Sequence, residues 1–348
     1  MRTLLITGGC GFIGSNFVRL VCAKTEWKLV NLDKLTYAGN LANTGDISNE
    51  RVRFIRGDIG DRELVEATIK EEKPWAIVNF AAESHVDRSI VDSSPFLQTN
   101  VIGVQVLLDA VRRHPVDRFV HISTDEVYGD KDGKEPSLEE GSLVPSSPYA
   151  ASKAAADLLC CSYRRTYGLP ILITRSSNNY GPYQFPEKLI PLVIRNAMAG
   201  LRLPVYGDGG QIRDWLYVED NCRGILAVLE SGSPGSVYNI GAETERSNLE
   251  VVHSICDAVS ENTGIDLLKL KQRIEFVTDR PGHDRRYAIS VKKMRTEMNW
   301  TPTTSFEIGI KKTVRWYIEN QNWISSVTSG EYQKYYDSVY TQVWGQTA

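Results

Sequence analysis

The sequence predicts an α/β protein: a doubly wound parallel sheet followed by a smaller α/β C-terminal domain. Three observations predict it. Short β-branched runs alternate with helix-period segments along the first half of the chain, as in successive βαβ units. The alternation breaks after Arg175, where Asn178-Asn179-Tyr180-Gly181-Pro182 and Phe185-Pro186-Glu187 intervene. The 348 residues amount to about two domains at roughly 150 residues each.

The strand runs of the first half are Thr3 to Thr7, Lys28 to Leu32, Val52 to Ile55, Ala76 to Phe80, Phe119 to Ser123 and Ile171 to Thr174. Helical patterns lie between them at about 14–23, 61–71, 95–114 and 148–167. The boundary falls near residue 177, giving a first domain over 1–177 and a second over 178–348, with a segment at about 213–240 that could return to the first. In the second part, a helix near 188–200 leads to the glycine loop Tyr206-Gly207-Asp208-Gly209-Gly210. Short strands (Val237 to Ile240, Glu275 to Val277) then mix with helices at about 248–263, 290–298 and 305–320. A parallel sheet binds ligands at the carboxyl ends of its strands, so chemistry is sought just after each run.

Composition narrows the function. Hydrophobic residues make up 42% and charged residues 24%, and the mean hydropathy is -0.28; a packed globular chain uses residues this way, and a disordered or membrane chain does not. Forty basic residues against 43 acidic ones give a net charge of -3, so no global field attracts nucleic acid. The six cysteines, at 10, 22, 160, 161, 222 and 256, form no CxxC pair, and neither a disulfide framework nor a metal site is expected. Leu4-Leu5-Ile6 runs straight into Thr7-Gly8-Gly9, too short and glycine-rich for a secretory leader, and no stretch reaches about 18 uninterrupted apolar residues. The expectation is a reducing cytoplasm with no membrane contact.

Directly after the first strand comes Gly8-Gly9-Cys10-Gly11-Phe12-Ile13-Gly14, matching both GxGxxG (Gly9, Gly11, Gly14) and GxxGxxG (Gly8, Gly11, Gly14). Missing side chains let the backbone turn tightly, approach a pyrophosphate and aim a helix N-terminus at its charge. Asp33 ends the second strand, 19 positions after Gly14. A carboxylate there accepts from the adenosine ribose hydroxyls and repels a 2′-phosphate, so the cofactor expected is NAD rather than NADP. The first domain is thus expected to be of the Rossmann type. Asp58, after the third strand, could accept from the adenine amino group or serve only as a cap or turn residue. Ala81 and Ala82, after the fourth, would allow close backbone approach. Cys10 inside the loop could make cofactor binding sensitive to thiol modification.

Ser147-Pro148-Tyr149-Ala150-Ala151-Ser152-Lys153 opens a helix, with Ser147 as cap and Gly168 as stop. Tyr149 and Lys153 then share a face at i, i+4, and an ammonium close to the phenol is expected to lower its pKa so that it can act as a base on an alcohol. The fifth strand ends in Thr124-Asp125-Glu126. Thr124 can hydrogen-bond the reacting hydroxyl, and two carboxylates exceed what hydride transfer needs. Such a pair suits an elimination, one group removing a carbon-bound proton while the other protonates a departing hydroxyl; the alternative is a pair of solvated loop acids.

The glycine loop, the segment Ala81-Ala82-Glu83-Ser84-His85-Val86-Asp87-Arg88-Ser89, the Thr124 triplet and the Tyr149–Lys153 pair together resemble the extended short-chain dehydrogenase/reductase family. Within it the triplet is similar to that of the nucleotide-sugar 4,6-dehydratases rather than the 4-epimerases, and nearly the whole chain shares the likeness. The resemblance implies a homodimer and a closed redox cycle on dTDP-glucose: Tyr149 acts on the 4-hydroxyl held by Thr124, Glu126 removes the carbon 5 proton, and Asp125 protonates the carbon 6 hydroxyl. It extends the cofactor set to Lys34, Leu35, Thr36, Ile59, Phe80, Ser84, Thr99 and Asn179. It places Ser84 and Asn178 at the sugar and Lys188 and Leu189 along the nucleotide. Pro204, Val205 and Tyr206 would lie beside the base, with Arg213, Asn248 and the loop Asp279-Arg280-Pro281-Gly282-His283 around the diphosphate and nucleoside. The arginines suit it because a guanidinium fork matches phosphate oxygens in pairs. UDP- or CDP-sugar dehydration, 4-epimerisation and non-catalytic NAD binding stay open as alternatives.

Overall fold

Among the described residues twelve strands carry the fold: β1 (Thr3–Thr7), β2 (Lys28–Asp33), β3 (Val52–Arg56), β4 (Ala76–Asn79), β5 (Arg118–Thr124), β6 (Ile171–Ser176), β7 (Asn178–Tyr180), β8 (Leu203–Tyr206), β9 (Ile212–Tyr217), β10 (Val237–Ile240), β11 (Glu245–Ser247) and β12 (Ile274–Val277). The computed structural model describes residues 1–328 except 46, 48 and 49; the part of the expected second domain from 329 to 348 lies outside the described residues.

Seven strands form one parallel sheet in the order β10-β6-β5-β4-β1-β2-β3. Their central members are buried on both faces, which explains why they read as continuous apolar runs. Alternation along β1 sends Leu4 and Ile6 to one core and Leu5 to the other. The strand order reverses between β1 and β4, so their carboxyl ends diverge there and open a crevice.

Two features depart from the sequence expectation. The helix expected over 95–114 is a short turn at Ser94–Phe96, a π-helical stretch at Leu97–Gly103 and an α-helix at Val104–Arg113. The wider turn accompanies an inward Asn100, which accepts from Glu83 N and donates to Glu83 O and Ser152 Oγ, each at 2.9 Å. An unexpected helix, Val218–Ser231, follows β9 and returns to the first sheet, packing Cys222, Ile225, Val228 and Leu229 into the core beneath it before β10 joins β6. Gly224 weakens its helical signal. A Cβ at Gly224 would lie 3.0 Å from Ile240, so the glycine permits close packing of helix on strand.

The remaining residues form a second core, in which β7, β9 and β11 make a small sheet and β8 pairs with β12. Around them helices Leu189–Ala199, Asn248–Thr263 and Phe306–Glu319 bury Ile190, Val193, Val252, Ile255, Ile310 and Val314 against Tyr180, Trp215 and Tyr217. No described helix is long and apolar enough to cross a membrane.

Candidate active site

The crevice at the ends of β1 to β5 is a cleft walled by the glycine loop. Gly8 has φ +70°, and a Cβ there would lie 2.6 Å from Ala81 N; one at Gly14 would lie 2.2 Å from Gly8 O. Gly11 differs, since its Cβ would meet no protein atom nearer than 3.4 Å. It caps helix Phe12–Lys24 with no side-chain hydrogen bond, so the first-turn amides face the cleft uncapped. A cradle of this shape with a positive helix end fits a dinucleotide diphosphate. Asp33 is fixed by backbone donors, Cys10 N to Oδ2 and Leu35 N to Oδ1, both at 2.8 Å.

Gly8, Gly11, Phe12, Ile13, Gly14, Asp33, Lys34 and Thr36 line this cleft. So do Asp58, Ile59, Phe80, Ala81, Ala82, Ser84, Thr99, Tyr149 and Lys153. Leu35, expected in the cofactor set, does not line the cleft; at φ 58° its backbone N–H holds Asp33. Asp58 holds a turn through Gly60 N at 2.8 Å and pairs with Lys34 at 2.7 Å, so its carboxylate already has a structural task. Cys10 corrects an expectation: it is fully buried, and burial, followed by the charge of Asp33, pushes its thiol up to about 12, which makes it unreactive.

A second cleft adjoins the first and shares Gln184, Glu187 and Lys188 with it. Asn178, Asn179, Lys188, Leu189, Pro204, Val205 and Tyr206 line it, with Arg213, Asn248, Arg280, His283 and Glu126. The structure thus puts Asn179 in the second cleft and Ser84 in the first. Thr124, Asp125, Asp279, Pro281 and Gly282 line neither. Asp279 supports the wall from behind, accepting from Gln211 Nε2 at 2.8 Å and bonding His283 Nδ1 at 2.6 Å. Arg213 is buried and held by the carbonyl of Asp284 at 2.9 Å, its guanidinium 4.2 Å from the centre of the Tyr287 ring. The side-chain oxygens of Asn178 and Asn179 have no hydrogen-bond partner, as polar groups waiting on a ligand would.

Sequence reasoning placed Lys188 and Arg280 at the nucleotide but missed the acids Glu187 and Asp87 that line the clefts with them. Glu187, 5% exposed, pairs with Arg88 at 3.3 Å, and burial pushes its carboxyl up to about 7. Lys188 donates from Nζ to Ser84 O at 2.8 Å. Asp87 accepts from Arg280 and from Tyr206 Oη, each at 3.2 Å. Their one signal was charge inside otherwise apolar strings.

At the junction sit the groups expected to react. Lys153 is buried and donates to Ile122 O at 2.6 Å. The expected lowering of the Tyr149 phenol by Lys153 is corrected here: burial, then the charge of Glu126, holds the phenol above its ordinary value, with a hydrogen bond to Thr124 in opposition. Burial, then the charges of Glu126 and Asp214, holds the Asp125 carboxyl well above the ordinary range, and its Oδ2 has no partner. Glu126 is raised by burial too, but Arg280, Lys188 and Arg213 oppose the rise. Both carboxyls are thus raised by burial, with more cationic neighbours opposing the rise at Glu126 than at Asp125.

Comparison with known proteins settles the family. Residues 5–313 match the family model described as GDP-mannose 4,6 dehydratase. The dTDP-glucose 4,6-dehydratase of Xanthomonas campestris pv. campestris (strain B100) is 51% identical over 344 residues, covering 96% of this chain and 98% of that one. The chain belongs to the dTDP-glucose 4,6-dehydratase family. A Shigella flexneri dTDP-glucose 4,6-dehydratase is 48% identical, covering 97% of this chain and 98% of its own. The solved dTDP-glucose 4,6-dehydratase of Streptomyces venezuelae, with NAD and dTDP bound, is 46% identical with a TM-score of 0.89, covering 94% of this chain and 100% of that one. The Thermus thermophilus UDP-glucose 4-epimerase in complex with NAD shares the fold at 31% identity and a TM-score of 0.83, covering 92% of this chain and 100% of that one. As a dTDP-glucose 4,6-dehydratase family member, the chain has the Rossmann-type fold that its strand alternation and glycine loop predict.

Proposed function

We propose that this chain converts dTDP-glucose to dTDP-4-keto-6-deoxyglucose by oxidation at carbon 4, loss of water across carbons 5 and 6, and reduction at carbon 6, a step of deoxysugar synthesis such as that of dTDP-rhamnose. NAD, when bound, supplies the redox chemistry, accepting a hydride from carbon 4 and returning it to carbon 6. Gly8, Gly11, Gly14 and Asp33 would hold it. The observation that carries the reading is the pair of adjacent buried carboxyls, Asp125 and Glu126, beside Thr124 and Tyr149, with Arg280, Lys188 and Arg213 opposing the rise at Glu126.

Thr124 orients the 4-hydroxyl and Tyr149 takes its proton, helped by the buried ammonium of Lys153. The 4-ketone acidifies the carbon 5 hydrogen. Glu126, as carboxylate, removes that proton while Asp125, as acid, protonates the carbon 6 hydroxyl, and the C6–O bond breaks to release water. Glu126, after exchanging its proton with solvent, then protonates carbon 5, and the proton left on Tyr149 restores Asp125 by way of solvent. Arg213, Arg280 and Lys188 bind the diphosphate, and Pro204 to Tyr206 border the base.

The test is incubation with dTDP-glucose and mass analysis of the product. Loss of one water is expected; an altered sugar of unchanged mass would mean epimerisation and overturn the reading.

Exposed apolar side chains at Val91, Leu97, Ile102 and Leu158 support a homodimer through helices of the first domain; a monomer mass by light scattering would sink this. The six free cysteines suit a reducing cytoplasm. Residues 1–177, joined by Val218–Ile240 on the same sheet, act as the NAD domain, and the rest of the chain binds the sugar nucleotide.

A further inference from the structure

The helix face that carries Tyr149 and Lys153 continues one turn further to Asp157, a residue with no part in the steps above. Its carboxylate is fully buried. Oδ2 accepts from Arg175 Nε at 2.8 Å. Oδ1 has no hydrogen-bond partner and lies 3.8 Å from His121 Nε2, which has none either. A run of fixed donors decides where the His121 proton sits. Thr7 Oγ1 donates to Asn79 Oδ1 at 2.6 Å, so the Asn79 amide nitrogen faces His121 Nδ1, 3.2 Å away. Nδ1 therefore accepts, and the neutral ring carries its proton on Nε2, toward Asp157. Four neighbouring strands, β1, β4, β5 and β6, thus converge through side chains on one carboxylate.

We propose that Asp157 is a positioning residue for the reaction: paired with Arg175, flanked by His121 and one helix turn from Lys153, it supplies the buried counter-charge that keeps Lys153 an ammonium near Tyr149. A buried ammonium without a counter-charge sheds its proton. Burial pushes Lys153 down to about 8, and the foremost force against that is the charge of Asp157, followed by Cys160 on the same helix. Burial likewise raises the Asp157 carboxyl, and Arg175 is the main opposing charge. From β5, His121 is held neutral by burial and then by Lys153 and Arg175. Other charges packed around the helix are engaged elsewhere. Asp125 and Glu126 act on Tyr149, whose phenol the charge of Asp157 also raises, though as the last of those influences; Asp87 pairs with Arg280, Arg88 with Glu187, and Asp109 with Arg62 and Tyr163.

The inference rests on Lys153 working as a cation in the proposed reaction, and the two can fail separately. The experiment follows dehydration of dTDP-glucose across a pH series for the NAD-loaded wild type, Asp157→Asn, Asp157→Glu and Lys153→Met. It also follows NAD affinity by tryptophan fluorescence, since Lys153 lines the NAD cleft. In Asp157→Asn the alkaline limb of kcat, and the alkaline loss of NAD affinity, should move to lower pH by about one unit or more. KM for dTDP-glucose should stay unchanged, and Asp157→Glu should restore the limb. If Asp157→Asn does not fold, Arg175→Gln carries the test, because the carboxylate then protonates in its buried site and the limb moves the same way. A limb that stays in place in a folded variant overturns the proposal. Full activity in Lys153→Met would instead overturn the role of Lys153 on which it rests.

Discussion

Asp87 and Arg280, 193 residues apart in sequence, meet in an ion pair at 3.2 Å. The pair ties the segment after β4 to the loop that closes the second cleft, and so fixes a guanidinium where a diphosphate would lie. Asp87→Asn should raise KM for dTDP-glucose about tenfold, the equivalent of roughly 1.4 kcal/mol for one charge-assisted hydrogen bond. Isothermal titration should show NAD affinity unchanged. A loss of NAD binding equal to the loss of substrate binding would contradict the assignment of the pair to the second cleft.

Glu126→Gln should separate oxidation from elimination. The variant keeps the shape of the side chain but cannot accept the carbon 5 proton, so product formation should fall by about 10²–10⁴-fold. Reduced cofactor should build up in its absorbance band, and the sugar should no longer take up deuterium from solvent at carbon 5. Wild-type uptake of deuterium would remove Glu126 from the proton transfer.

Asp125 bears on stability as well as rate. Burial and its neighbours raise its folded pKa above the unfolded value of about 3.9. Its contribution is therefore fully present below that pH and is lost as pH rises toward the folded pKa, because the native state there binds the extra proton. Asp125→Asn, a neutral isostere, should remove this slope and raise the melting temperature at neutral pH by about 2 °C or more, while turnover drops. Unfolding curves at several pH values measure it; a lower melting temperature throughout would show that the carboxyl is ionised in the fold.

The glycines of the loop should divide by what their missing side chains avoid. Gly14→Ala forces a Cβ to 2.2 Å from a backbone carbonyl and should destabilise the apoprotein, by about 1–3 kcal/mol as overpacking does. Gly11→Ala meets no protein atom closer than 3.4 Å, so the apoprotein should melt normally while NAD binding weakens. Thermal melts with and without NAD distinguish the two; equal loss of apoprotein stability in both would refute the division.

What could be read from the sequence was what is local. Gly8 to Gly14, Asp33 and the Tyr149–Lys153 turn each lie within a strand end, a loop or a helix turn, so their spacing carries their geometry. Glu187 and Asp87 could not be read in this way, since their meaning comes from contacts with Arg88 and Arg280 in distant segments. Two local patterns misled. Gly224 hid a helix because tight packing against Ile240 matters more there than propensity, and Asn100 widened a helix to reach Glu83 and Ser152. The Tyr149 phenol ran opposite to expectation because spacing shows a neighbouring ammonium but not the burial and the Glu126 charge that outweigh it.

Gln184, Glu187 and Lys188 form a party wall between the two clefts. A sugar nucleotide on one side and a dinucleotide on the other would press on the same three side chains, so each should change the other's affinity, and by thermodynamic reciprocity to the same degree. Retention of the cofactor through a turnover would then depend on the occupied pair of pockets as well as on the glycine loop.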